Sequence, residues 1–597
     1  MSRAIFFNTL DNEAVLTLLL PWLDSDSLLH LDTAIVSYDG PLYQPSLSTL
    51  KANWLACLKG AVGVRCVNGL PCSSSWIQWF SLRGVGVSSI RILEAYAPQI
   101  TDESFEGACL SSLELIDLSE CSDLTDAAII AVVTTSPLLS TIKLTNCEKI
   151  TSKALISISK NCGKLKTIDL AGCSLITSKA IQKLVRGCPL LESIDVSSCS
   201  CVSEKTVKSI ARYLPGLLHI KLSTLSGKNT NSVSDDGIIL LVHRCPLLQT
   251  INIDNSDEIG DDSMVAIGQR CPQLRHISVA CYAITHSGIS ALAEGCTLLE
   301  SITLSDCSAD ITNESMMIIA RNCPRLLYIY LNWFQLLDDC GIEALAHGCP
   351  LLQSLELSRC HGVGVEDRFG ECVGMMPNLR KIMIESSDIS DDQIPGIVNG
   401  CSLLHTINIF DCRNITSQSM ISIAAHCPTL RELSLENMNC GTEASLVALA
   451  KGCRLLESIS IDDENCSFDN VVFDLIGQNC NLLRRIRLNC DFNVTDDGFL
   501  TLLLGCPRLE YIHLTAQPAS SRSSSRKSSP VIDVSRPCRA CLHLTEIVLE
   551  RCSELTDLTL FNIRDSCTAL VQLTITCCDS MSESCIEELE AALPHLF

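Results

Sequence analysis

The side chains best equipped for chemistry in this chain are its thiols, since 37 of the 597 residues are cysteine. A thiolate can hold zinc or attack an electrophile, and two thiols can close a disulfide; each use demands its own spacing. Cys199-Ser200-Cys201 and Cys577-Cys578 are the tightest local groupings and invite a metal reading. Both fall where cysteine recurs in a regular pattern, and no zinc-spaced Cys/His set stands out, so burial as small hydrophobes is the expectation. His276, His405 and His513 fall on expected strands at different phases and read as packing or solvent-facing residues. Asp and Glu are spread along the chain rather than paired. A Gly-rich phosphate loop and a nucleophile elbow are both missing from the motifs. No catalytic, cofactor or metal residue is therefore expected, and the working residues should be ones that hold a partner.

Two groups suit that role. Tyr328 and Tyr330 flank Ile329, and Asn332, Trp333 and Phe334 follow, in a chain with only 4% aromatics. Exposed Tyr and Trp are frequent binding anchors; alternatively, Trp333 and Phe334 fold back to fill a turn that lacks the usual cysteine. Arg485 and Arg487 stand one repeat before Tyr511 and His513. Together they would make a small basic and aromatic patch fit for a carboxylate or phosphate on a partner, or else an ordinary solvated strand face.

The elements that position these residues are set by a repeat. Leu165-Lys-Thr-Ile168-Asp-Leu170-Ala-Gly-Cys173 is nearly restated at Leu139-Ser-Thr-Ile142-Lys-Leu144-Thr-Asn-Cys147. The last strand residue falls at Ile92, Leu118, Leu144, Leu170, Val196 and Leu222, each 26 apart, and the series runs on to Ile575. That period makes about 19 units from residue 85 to the end. Each unit reads as a short strand, a turn carrying Cys, a Thr-Asp or Thr-Ser helix start and an amphipathic helix. Gly-Cys-Pro or Asn-Cys-Pro closes it, with the Gly or Asn expected in a left-handed cap. A lone unit cannot bury its apolar face, so neighbours must stack.

The unit resembles the cysteine-containing leucine-rich repeat of F-box/leucine-rich-repeat proteins; related arrays occur in ribonuclease-inhibitor-like proteins. The resemblance implies an α/β leucine-rich-repeat solenoid, a horseshoe with a concave parallel β-sheet and convex helices. Residues 1–84 break the repeat and read as a small helical module. Leu10 through Leu23, followed by Asp24-Ser-Asp26-Ser-Leu28, is similar to the start of an F-box. That resemblance implies that Leu10, Val15, Leu19, Leu23 and Leu28 face a Skp-type adaptor of a cullin ligase, with a client protein on the concave sheet. The other reading makes the module a cap for the first repeat and the chain a scaffold, inhibitor or regulator without a ubiquitin role. Trp54, Trp76, Trp79 and Phe80 are expected to anchor the junction.

Composition narrows the partners. The chain is 47% apolar and carries a net charge of -24. Such a balance speaks against nucleic acid, which needs clustered Lys and Arg. The longest apolar run near the start, Ala14 to Leu23, is too short for a bilayer, and Met1 to Leu10 lacks the marks of a signal peptide. A reducing cytoplasmic or nuclear compartment follows from so many unpaired-looking thiols. Two insertions interrupt the array. Residues 223–234 read as a rim loop. Residues 516–540, rich in Ser, predict disorder; with Arg522, Arg526 and Lys527 among the serines, they form either a tolerated surface loop or a tether governed by phosphorylation.

Overall fold

The structure is a computed structural model that describes residues 88–92, 97–98, 100–224, 233–256, 258–307, 310–437, 441–516, 541, 543–567 and 569–592. The N-terminal module with its adaptor candidates and junction aromatics, residues 225–232 of the rim loop and residues 517–540 lie outside the described residues. The chain divides into two units, Met1–Ala283 and Ile284–Phe597.

The first unit carries β1 (Ser89–Arg91), β2 (Leu115–Asp117), β3 (Thr141–Lys143), β4 (Thr167–Asp169), β5 (Ser193–Asp195), β6 (His219–Lys221), β7 (Thr250–Asn252) and β8 (His276–Ala280). The second carries β9 (Ser301–Ser305), β10 (Tyr328–Asn332), β11 (Ser354–Ser358), β12 (Lys381–Glu385), β13 (Thr406–Phe410), β14 (Glu432–Glu436), β15 (Ser458–Asp469), β16 (Arg485–Asn493), β17 (Tyr511–Ala516), β18 (Glu546–Glu550) and β19 (Gln572–Thr576). Within each unit consecutive strands run parallel and pair at the same repeat phase, as Ile142 with Ile168 and Ile329 with Leu355. Parallel neighbours need a crossover, and a helix supplies it after most strands. The fold is an α/β leucine-rich-repeat solenoid.

Alternation decides which side chains go inside. On β3 and β4, Ile142 and Ile168 are buried while Thr141, Lys143, Thr167 and Asp169 point outward and are half-exposed. Leu144 and Leu170, just past the strands, are also buried. Each such aliphatic side chain contributes about 1.5–3 kcal/mol at most. The columns persist through Leu549; Leu573 and Ile575 of β19 are only half-buried, because β19 pairs on one side alone among the described residues.

After most strands the chain turns through a left-handed residue, such as Glu120, Asn146 and Ser198, with φ of 66°, 56° and 57°. At these three turns the residue that follows is a buried cysteine, Cys121, Cys147 and Cys199. Its sulfur does more than fill space. The Cys147 thiol donates to the Leu118 carbonyl at 3.1 Å, Cys173 to Leu144 at 3.1 Å and Cys199 to Leu170 at 2.9 Å. A second column sits at the helix ends: Cys188 donates to the Cys162 carbonyl at 3.4 Å, and Cys453 to that of Cys427 at 3.4 Å. A thiol is a weak donor, but each of these reaches a carbonyl of the preceding repeat.

Helix starts obey the sequence and then exceed it. Thr125, Thr151, Thr285 and Thr416 are N-caps whose hydroxyls accept from the backbone two residues on. The acid beside the helix start serves the next repeat. Asp126 accepts from the Thr151 amide at 2.8 Å and its hydroxyl at 2.6 Å, and Asp391 does the same for Thr416 at 2.9 and 2.5 Å.

Helix ends correct the expectation of a left-handed Gly. Gly187 is the last residue of the helix Ser178–Gly187, and the cap itself is Cys188 at φ -121°. Gly is required for closeness: a Cβ at Gly187 would run into the Ser159 carbonyl of the preceding helix, and one at Gly452 into that of Ala424. Where Asn stands at this place, as at Asn161 and Asn322, its amide donates to the carbonyl four residues back.

Candidate functional site

The side chains left over from the core form the outward face of the strands, and that face is the candidate site. In the first unit it is a row of opposed charges. Lys143 lies 3.6 Å from Asp117, and Lys221 lies 3.2 Å from Asp195. Burial pushes the Asp169 and Asp254 carboxyls above their usual range.

In the second unit the face turns aromatic and acidic. Tyr328 and Tyr330 occupy alternate positions of β10, so both rings project outward and are half-buried. The Tyr328 hydroxyl donates to Glu356 Oε2 at 3.2 Å. Glu356, itself 7% exposed, also receives Lys381 Nζ at 2.7 Å. Burial raises the Tyr330 hydroxyl pKa; a hydrogen bond with Ser358 opposes the rise, and the carboxylates of Glu385, Glu356 and Asp306 add to it. At the end of β10, Asn332 donates to Ser305 Oγ at 2.8 Å.

Trp333 sits at the left-handed turn position with φ 65°, which aims its ring outward; it is 41% exposed. The Arg359 guanidinium, one repeat on at the same turn position, lies 5.1 Å from the ring centre and 3.8 Å from Glu385. Phe334 does not belong to this surface. It is 3% exposed and takes the interior place that Cys360 holds in the next repeat. Of the two readings for this turn, the filling one describes Phe334 and the exposed one describes Trp333. A benzyl group replaces a thiol there, and its extra volume fits the inner side of the turn.

The parallel register also brings the second group together. Arg485 stands beside Tyr511, and Arg487 beside His513. Their chemistry differs from a cationic anion trap. Arg487 reaches back across β15 to Glu436 at 3.4 Å. His513 accepts or shares a proton with the Tyr511 hydroxyl at 3.1 Å. Burial, helped by the Arg487 charge, lowers the His513 pKa, so at neutral pH the ring is uncharged. Glu550, Glu546 and Asp462 also face it. The patch is therefore ringed by carboxylates, with Arg485 exposed at its edge, and a phosphate there would meet Glu436 and Glu550 as competitors.

The thiol groupings behave as packing residues, with one correction. Cys199 and Cys201 are both buried, and Cys578 donates to the Leu549 carbonyl at 3.5 Å. Cys577, expected to be buried, is exposed, because it occupies the outward-aimed left-handed position at φ 55°. Burial pushes the Cys121, Cys147 and Cys173 thiols up to about 12, leaving them protonated at neutral pH. Among the described residues no three metal-ligating side chains are grouped, and no helix is long and apolar enough to cross a membrane.

Sequence reading missed Asp306, Glu356, Arg359 and Glu385 around the tyrosines. The signal was available: Glu356 and Arg359 lie 26 residues after Tyr330 and Trp333, so they occupy the same phase one repeat on. Reading the face across repeats, rather than along one strand, finds them.

No family model matches the chain. Among curated proteins, F-box protein MAX2 homolog A of Petunia hybrida is 27% identical over a segment that covers 23% of this chain and 23% of that protein's length. Among solved structures, the yeast Rad7 and Elc1 complex aligns at a TM-score of 0.43 and 16% identity, covering 68% of this chain and 90% of that one. An internalin (inlF) of Listeria monocytogenes aligns at 0.37 and 17% identity, covering 58% and 92%. The chain is an α/β leucine-rich-repeat solenoid.

Proposed function

We propose that this chain is the substrate-recognition subunit of an SCF-type E3 ubiquitin ligase. On this reading the outward strand face holds a client protein. Leu10, Val15, Leu19, Leu23 and Leu28, which lie outside the described residues, bind a Skp-type adaptor. Catalysis belongs to other subunits, and this chain supplies proximity by placing client and ligase on one support. The observation that carries the client half is the exposed Trp333 ring beside outward-facing Tyr328 and Tyr330, aromatic area that folding leaves uncovered. The adaptor half rests on the F-box-like opening and on the segment similar to an F-box protein.

The test uses the whole chain. Co-expressed with a recombinant Skp adaptor, it should co-elute as a stable complex, and Leu19→Asp with Leu23→Asp should release the adaptor while leaving the melting of the repeats unchanged. Clean separation of the parent chain from the adaptor would remove the ubiquitin role and leave a scaffold that binds clients for another purpose.

A further inference from the structure

We infer that the surface formed by Tyr330, Trp333 and Glu385 is a seat for an arginine side chain of the client, and that Arg359 is the chain's own occupant of that seat. The inference rests on the client-holding reading above and specifies the chemistry of what is held: a segment bearing arginine.

Three observations converge on it. The first is the aromatic wall. Trp333 is held in the left-handed turn with its ring outward, and a guanidinium already lies 5.1 Å from its centre. Aromatic faces attract cations through the ring quadrupole, most strongly for tryptophan. The second is the charge behind the wall. The carboxylates of Glu385, Glu356 and Asp306 all act on the Tyr330 hydroxyl. Lys381 matches Glu356 closely at 2.7 Å. Among the described residues the one cation paired with Glu385 is Arg359 at 3.8 Å, and Ser358 donates a hydrogen bond to it at 2.7 Å.

The third is how lightly Arg359 is held. Its contact with Glu385 lies near the outer limit of an ion pair, and its side chain is 45% exposed. A guanidinium from a partner could make the same two contacts, over Trp333 and against Glu385, while Arg359 swings into water at little cost. Exposed ion pairs of this kind are weak, which is what an exchangeable occupant requires. The neighbouring patch on β16 and β17 favours a cationic partner too, since Arg487 lies 3.4 Å from Glu436 and the carboxylates of Glu550, Glu546 and Asp462 act on His513.

The experiment titrates the full-length chain with a capped peptide of alternating Gly and Arg, and with the same peptide carrying neutral citrulline at each Arg. The Arg peptide should bind at least about tenfold tighter. Trp333→Ala and Glu385→Gln should each weaken it about threefold to tenfold. Arg359→Ala should strengthen it severalfold, because the seat is vacated. If Arg359→Ala weakens binding, Arg359 is part of the wall and the inference fails. If all three variants stay within about twofold of the parent and added salt abolishes binding, the peptide is sensing only the acidic field of the chain, and the inference again fails. Adaptor binding, measured on the same preparations, reports separately on the ubiquitin reading.

Discussion

At the scale of single residues, two adjacent aromatics show how much position matters. Trp333 and Phe334 differ by one place, and that place separates an outward left-handed turn residue from an interior one. Replacing Phe334 by Ala should destabilise the second unit by about 3–5 kcal/mol, the usual cost of emptying a buried aromatic site. Replacing Trp333 by Ala should change stability by less than about 0.5 kcal/mol while weakening client binding. Urea unfolding of both variants followed by tryptophan-independent circular dichroism checks the contrast; equal losses would mean that both rings are structural. The sequence left the choice open because Phe334 can be recognised as interior only by aligning it with Cys360, one repeat later. Tyr328 and Tyr330 were legible from alternation alone.

At the scale of elements, the strands and helices follow from the 26-residue period, while the way they lock together does not. The Thr caps were readable, since a cap is a local hydrogen bond between residues two apart. The acid beside the cap looked like part of the same helix start. Its actual partner is the next repeat, where Asp391 accepts from Thr416 and Ser419. Partial burial alone would raise the Asp391 pKa, but the bonds from Ser419 and Thr416 outweigh it and hold the carboxyl below its usual range. The sign follows directly. The unfolded carboxyl titrates near about 3.9, so the stabilisation is complete above that pH and is lost as pH falls through the lower folded value. Asp391→Asn should cost about 0.5–1 kcal/mol at neutral pH and should flatten the acid limb of the Thr416–Ser419 amide protection, measured by hydrogen exchange. Unchanged acid sensitivity in the variant would show that another group controls it. Gly187 and Gly452 make the same point about legibility: a glycine at a helix end suggested a left-handed cap, whereas contact with the preceding helix is what excludes a side chain.

At the scale of the whole molecule, stability is a sum of unit and interface contributions rather than one core. Leu170 is fully buried between the neighbours of β4. Leu170→Asp should cost several kcal/mol, because a carboxylate there has no partner. The loss should appear in hydrogen exchange at β3, β4 and β5 before it reaches β7; uniform loss across the first unit would mean that its repeats melt together. Solenoid class and inward columns were thus visible in the sequence, since they depend only on phase. The partner surface was half visible, because it depends on which outward residues of different repeats share an edge.

The sulfur rungs carry one more consequence. Among the described residues only Cys109 and Cys577 are exposed cysteines, although the chain holds 37. Every other described thiol is shielded to some degree, most of them completely, by the repeat that precedes or follows it. Among the described residues a small alkylating reagent would therefore find little to modify beyond Cys109 and Cys577 while the repeats stay folded, and each buried cysteine it did reach would report that its own neighbourhood had opened. Peptide mapping after brief labelling would read that history position by position, so the molecule carries within it a gauge of where it comes apart first.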